Sequence, residues 1–249
     1  MLFNKFEDYL QHEKKFSSNT ISAYLRDLKS FQFFLNQNGD KISKEINYSF
    51  IRQWIVHLSE KKFSKVSINR KIASLKSYFN FLVNIGELNS SPLKAHKNLK
   101  SSSNIVIPFS EKEIEKVFES FKFIDGNDRD KLIVELFYST GMRREELLSI
   151  KIINIDFDSH WIKILGKRDK ERIIPMLPKL SKSILNYISK YSPTEYLFES
   201  KKSKQLSSST IYRVINKYFR AVSSKVKVSP HVLRHTFATH MLNNGADIN

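Results

Sequence analysis

Through the first third of the chain the apolar residues fall three and four apart in four separate runs, a period that can be buried only by packing helix against helix. Phe6, Tyr9 and Leu10 form the first run. Ile21, Tyr24, Leu25, Leu28, Phe31 and Leu35 form the second, behind Ser17-Ser18-Asn19-Thr20, whose side chains can cap a helix start. Gly39-Asp40 ends it. The third run is Phe50, Ile51, Trp54, Ile55 and Leu58, and the fourth is Ile68, Ile72, Leu75, Phe79 and Leu82, from near Ser64 to Gly86. Four amphipathic helices with short loops predict a small all-α bundle over residues 1–95. Residues 96–108 break the pattern. Lys97 to Asn104 is polar, Ser-rich and basic, with Pro92 and Pro108 on either side, and reads as a linker to a second domain over 109–249.

The second domain mixes helices with a little sheet. Ser110 stands three residues before Glu113, a capping-box start for a helix through Ile114, Val117 and Phe118. Arg129 to Thr140 carries a stripe of Leu132, Ile133, Leu136 and Phe137, stopped by Thr140-Gly141. A short helix then begins at Met142-Arg143. Trp161–Leu165 and Arg172–Met176 read as two strands joined by a hairpin at Gly166-Lys167-Arg168-Asp169-Lys170-Glu171. Lys179–Tyr191 and Ser209–Val222 read as helices around an extended Tyr196-Leu197-Phe198. Pro230 suits the first turn of a last helix, with Leu233, Phe237 and Met241 on its inner face.

Charge narrows the partner. The formal net charge is +17, and it is shared: residues 1–106 hold 17 Lys/Arg against 8 Asp/Glu, and residues 107–249 hold 25 against 17. A basic balance spread over both halves suits contact with a phosphate backbone. In the fourth helix Ser67, Arg70, Lys71 and Ser74 could share one face, either a phosphate contact or an ordinary solvated surface, with Lys76 nearby and Arg26 and Lys29 on the second helix. The absence of cysteine excludes disulfides, thiolate zinc sites and a cysteine nucleophile. No stretch approaches the roughly 18 apolar residues of a membrane span, and acids stand where a signal peptide needs an apolar run. A soluble cytoplasmic protein is expected.

Four residues carry chemistry as a set. Arg143 lies at a tight turn and helix start, where backbone amides favour an anion. His231 and Arg234 sit three apart, neighbours across one helical turn. Two guanidinium forks can hold both non-bridging oxygens of a phosphodiester and offset the charge that grows as it is displaced. Lys167, near the tip of the hairpin, can protonate the leaving 5′ oxygen, and His231 can bond the phosphate or take the nucleophile's proton. No step requires a metal. His231 and His235 are spaced like a zinc pair but lack an obvious third ligand.

These motifs resemble the tyrosine recombinase (phage integrase) family, most closely its Xer-type members, which resolve chromosome dimers. The resemblance rests on Ser18-Asn19-Thr20-Ile21-Ser22-Ala23-Tyr24-Leu25-Arg26-Asp27-Leu28 and on Thr140-Gly141-Met142-Arg143 with Glu146-Leu147. It also rests on Gly166-Lys167 with Lys170-Glu171-Arg172, and on Ser229-Pro230-His231-Val232-Leu233-Arg234-His235 with Phe237-Ala238-Thr239-His240. It implies a mainly α fold: an N-terminal SAM-like core-binding domain and a C-terminal α+β catalytic domain, closing as a C-shaped clamp on double-stranded DNA. It further implies a 3′-phosphotyrosyl intermediate, strand exchange in a homo- or hetero-tetramer on paired sites, no cofactor, no metal, no small-molecule substrate and no membrane. Arg143, Lys167, His231 and Arg234 are then the catalytic set, and Asn19, Thr20, Arg26, Arg70, Lys71, Lys76 and Arg144 the candidate DNA contacts. Two departures are minor: Glu145 replaces a common Ser, and Arg168-Asp169 replace a common Gly-Asn.

The family's second histidine falls roughly two dozen residues beyond the His-x-x-Arg box and its tyrosine about nine later, so both are expected past Asn249. Tyr138, Tyr187 and Tyr218 sit in helical patterns and read as packing residues. The competing reading is a DNA-binding protein of the same fold that lacks the nucleophile. Reading the gene past codon 249 separates the two: the recombinase reading expects Gly-His and then Tyr within about thirty codons, and a stop codon there favours the binding protein.

Overall fold

A computed structural model describes residues 2–37, 46–101, 106–123, 126–166, 171–200, 204–224 and 227–247. The chain divides into two compact units, Met1–Ser103 and Asn104–Asn249.

The first unit is helical. α1 (Leu2–Asp8) runs into a π-helical turn at Tyr9–Glu13, and α2 (Ser18–Gln37), α3 (Tyr48–Glu60) and α4 (Lys65–Asn84) follow. Each later start is set by a local side chain. The Ser17 hydroxyl meets the Thr20 N–H and hydroxyl, the Asn47 amide oxygen accepts the Ser49 N–H, and Ser64 accepts the Ser67 N–H. The apolar stripes meet in one core around Trp54, Phe31, Phe79 and Leu75. Phe6 slots its ring between Tyr78 and Phe81, at 5.2 and 5.4 Å between centroids.

One polar cluster sits inside this bundle. Asp27 on α2 is 1% exposed and collects the whole polar face of α4. Arg70 donates to both its oxygens, at 2.5 and 2.9 Å, Lys71 at 3.1 Å and the Ser74 hydroxyl at 2.8 Å. The Arg70–Lys71–Ser74 face, readable from sequence as solvated or phosphate-facing, is therefore turned inward at Lys71 and Ser74, because a buried carboxylate needs those donors. Arg70 keeps half its side chain in water.

The segment after α4 is also tied down. Leu93 is fully buried, and Asn69 on α4 exchanges two 2.9 Å hydrogen bonds with the backbone of Leu99. The first residues of the expected linker are thus pinned to the first unit, while residues 102–105 of it lie outside the described residues.

The second unit packs helices around a three-stranded antiparallel sheet in the order β1-β2-β3. Its helices are α5 (Glu111–Ser120), α6 (Asp128–Thr140), α7 (Arg144–Leu148), α8 (Pro178–Tyr191), α9 (Ser208–Val222) and α10 (Pro230–Asn243). Its strands are β1 (Ile155–Asp156), β2 (Trp161–Leu165) and β3 (Glu171–Pro175). Ser110 and Glu113 form the capping box at α5. The two-residue β1 has no alternating pattern to announce it, and it exists because Ile155 pairs with Ile162. Ile162, Ile164 and Ile174 turn to the core, while Lys163 and Ile173 face away.

α10 docks against α6: the Phe237 ring lies over Gly141 at the end of α6, and His240 Nδ1 lies 3.0 Å from the Tyr138 hydroxyl. Met241, expected on the inner face, is 45% exposed. The helix period reaches α6 at position 240, which leaves 241 rotated about 100° toward solvent. Thr236, fully buried, accepts the Phe109 N–H at 2.9 Å and so ties the start of the unit to its last helix.

Burial alone would raise the Asp27 carboxyl, but Arg70, Ser74 and Lys71 together hold it below its ordinary 3.8. Its contribution to stability is therefore complete above about pH 4 and is lost as pH falls through the lower folded value. Asp27→Ala strands the Lys71 charge and should destabilise the protein by about 3 kcal/mol in a urea melt at neutral pH. An unchanged midpoint would refute the structural role given to this cluster.

Candidate active site

The site is built where α6 ends. Gly141 takes a left-handed conformation, φ 57°, and stops the helix. The next side chain, Met142, is fully buried and acts as a peg. With Met142 pointing inward, Arg143 points outward, with 55% of its side chain exposed. Arg143 has extended backbone and precedes the five-residue α7.

Glu146 fixes this turn. Its side chain is 4% exposed, and both its oxygens are occupied. Oε2 accepts the Arg143 backbone N–H at 2.6 Å, and Oε1 accepts Arg143 Nη1 at 2.8 Å. Arg172 on β3 donates Nη2 to Oε2 at 2.8 Å. The anion that sequence reasoning places at the α7 start is thus, in the free protein, an internal carboxylate. Burial would raise the Glu146 carboxyl; hydrogen bonds from Arg143 and the charges of Arg172 and Arg143 outweigh it and hold the group below the usual range.

Arg234 arrives from α10. Ser229 caps that helix by accepting the Val232 N–H, and Pro230 occupies its first position. One turn in, Arg234 Nη1 donates to the Gly141 carbonyl, a contact between residues 93 apart in the chain. Burial, then the like charges of Arg143 and Arg172, weaken its hold on its proton, and Glu146 opposes them. Three guanidinium groups therefore surround one carboxylate. Together with it they sum to two formal positive charges, and Arg143 and His231 are each exposed. Such a cluster of guanidinium forks can take a phosphodiester and hold both its free oxygens.

Of the expected catalytic residues, Arg143 and Arg234 are brought together and His231 sits on the first turn of the same helix as Arg234. Lys167 lies outside the described residues, although the strands on either side of it pair from Trp161↔Pro175 to Leu165↔Glu171. Sequence reasoning missed Arg172 as a member of the site. In the structure it sits opposite Ile164, on the core-facing side of the hairpin, where a charge needs a partner.

The candidate DNA contacts are less uniform. Asn19 and Thr20 lie in the first turn of α2, and Arg26 and Lys76 are exposed. Arg70 and Lys71 hold Asp27. Arg144 donates to Glu145 at 2.7 and 3.0 Å. Tyr187 and Tyr218 are buried, and Tyr138 packs near Phe118. His231 and His235 are both exposed, and no group of three or more metal-ligating acids or histidines occurs among the described residues.

Residues 108–249 match the phage integrase family, and residues 3–86 match the phage integrase N-terminal SAM-like domain. The chain belongs to the phage integrase family. It is 35% identical over 252 residues to a tyrosine recombinase of Pseudothermotoga lettingae, spanning 99% of this chain and 86% of that one. It is 33% identical over 259 residues to tyrosine recombinase XerC of Pediococcus pentosaceus, with the same coverage. The fold matches the crystal structure of a lambda integrase(75-356) dimer bound to a COC′ core site, with a TM-score of 0.77 at 17% identity, covering 99% of this chain and 90% of that one.

In this phage integrase family member a methyl group at Gly141 would overlap the Phe237 ring and would also sit on a left-handed backbone. Gly141→Ala should therefore cost about 2 kcal/mol or more and push α10, with Arg234, off the turn. Thermal unfolding checks the first effect, and loss of nicked-DNA product checks the second. A fully active, equally stable Gly141→Ala variant would refute the docking described.

Proposed function

We propose that this chain is a site-specific DNA recombinase of the Xer type, cutting and rejoining double-stranded DNA through a 3′-phosphotyrosyl intermediate. The observation that carries the reading is the meeting of Arg143 and Arg234 around Glu146, from positions far apart in the chain. In this reading the two guanidinium groups bind the free oxygens of the scissile phosphate and offset the charge that develops as its bonds exchange. His231 bonds the same phosphate or receives the proton of the attacking hydroxyl. Lys167 protonates the leaving 5′ oxygen. The attacking hydroxyl comes from a tyrosine C-terminal to the His231–Arg234 helix.

The first unit is the DNA-gripping partner. Asn19 and Thr20 offer a helix start to a phosphate, and Arg26, Lys76 and the exposed half of Arg70 present positive charge. Lys71 contributes through its buried pair with Asp27, which holds that face in place. Arg144 adds a contact beside the catalytic turn by exchanging Glu145 for a phosphate. The working assembly is a tetramer of like or related recombinases on paired sites, acting in the cytoplasm. No helix among the described residues is long and apolar enough to cross a membrane.

Two measurements on the full-length protein test this. Arg234→Ala should lower strand cleavage by at least about 100-fold while binding to the target duplex changes little. Normal cleavage by that variant would remove Arg234 from the site. Binding should also weaken steeply with salt, as several phosphate contacts release counterions, by about 10³-fold or more between 50 and 200 mM. A flat curve would oppose the proposed phosphate grip.

A further inference from the structure

Glu146 carries more cation than it needs to hold Arg143. Arg143 alone satisfies Oε1 and half of Oε2, through Nη1 at 2.8 Å and its own backbone N–H at 2.6 Å. A substrate phosphate competing for Arg143 would then leave that buried carboxylate without a hydrogen-bonded counter-charge, Arg234 acting on it through charge alone. Breaking a buried pair is costly because the remaining charge is left in a poor dielectric. Arg172 changes that balance. It donates Nη2 to Oε2 at 2.8 Å from a different element, and 41% of its side chain is still exposed.

Its position follows from the sheet. Arg172 pairs with Ile164, and alternation along β3 puts it on the same face as buried Ile174. That face looks toward α7, so the guanidinium can reach Glu146 while Ile173 and Lys163 face away. The hairpin base and the arginine turn are thereby joined by one charge-assisted hydrogen bond.

We infer that Arg172 is a positioning residue for the recombination reaction: it holds Glu146 Oε2 and shares the carboxylate's charge, so that Arg143, bonded to Glu146 through Nη1 and its backbone N–H, keeps the rest of its exposed guanidinium for the scissile phosphate. The inference rests on the recombinase reading above and adds to it. With Arg172 in place the cluster presents three guanidinium groups against one carboxylate. Without it, Arg143 is the one guanidinium hydrogen-bonded to Glu146, the phosphate competes with that carboxylate for it, and the cluster keeps one net charge fewer. The expected loss is in the chemical step and not in DNA binding, because phosphate contacts elsewhere supply most of the affinity.

The test uses the full-length protein, its target duplex and single-turnover cleavage at saturating protein. Arg172→Gln should cleave about 30-fold more slowly, within the range that displaced supporting groups cost. Its DNA affinity should stay within about threefold, since a single phosphate-independent change leaves the salt-dependent contacts intact. Arg172→Lys keeps the charge on Glu146 and should recover most of the rate. In a Glu146→Gln background, Arg172→Gln should cost little further, since the group it acts through is already neutral. Full-rate cleavage by Arg172→Gln, an equal loss in the Glu146→Gln background, or Arg172→Lys as slow as Arg172→Gln would each overturn the inference. If Arg172→Gln does not fold, Arg172→Lys decides: folded and fast supports the assignment, folded and slow overturns it. A wild-type protein that does not cleave would instead overturn the recombinase reading itself.

Discussion

A carboxylate taken out of water must be given donors on both oxygens or it loses its charge, and Glu146 meets that demand with two arginines and a backbone amide. The geometry of the second unit follows from it. The amide fixes the turn after α6, one guanidinium is aimed outward, and the other ties down the sheet. Arg234, half-buried among like charges, is tolerable only because the same carboxylate lies close by. Three arginines without Glu146 would repel one another. Glu146 without them would be neutral, and the turn would lose its anchor.

The first unit repeats the arrangement with Asp27, which gathers Arg70, Lys71 and Ser74 from α4. In a chain of net charge +17, each unit thus uses buried acid to hold basic residues in fixed directions, Asp27 in the first and Glu146 in the second. Removing one partner of such a pair costs far more than the pair contributes in total. The physical effect is specificity of orientation more than raw stability, and it is orientation that a phosphate-binding surface needs.

Helices with a clean three-and-four period are legible in the amino-acid order, and so are the Ser110 capping box, the Gly141 stop and the strand pair on either side of Gly166. Local rules decide all of these. The proposed catalytic residues Arg143, His231 and Arg234 can be picked out as well, because they stand in fixed local contexts. The partners are not. Asp27 looks like any acid in an exposed helix, and only the packing of α2 on α4 shows why Lys71 points inward. Arg172 lies in an Arg-Ile-Ile run whose register is ambiguous by one residue, and that residue decides whether the arginine meets water or Glu146. The Met241 expectation fails for a related reason: the period gives a stripe but not where along it the neighbouring helix stops.

The bond from Arg234 to the Gly141 carbonyl, closed over by the Phe237 ring, joins an early helix of the second unit to its last described one. Translation makes α6 long before α10. Until α10 emerges, the turn at Gly141 is uncovered and the cluster holds two arginines where three are required. A nascent or clipped chain can therefore fold its first unit, which has a core of its own, while the arginine cluster of its second unit is still incomplete. The order of synthesis thus leaves the three-arginine cluster unassembled until α10 has emerged and docked on the turn.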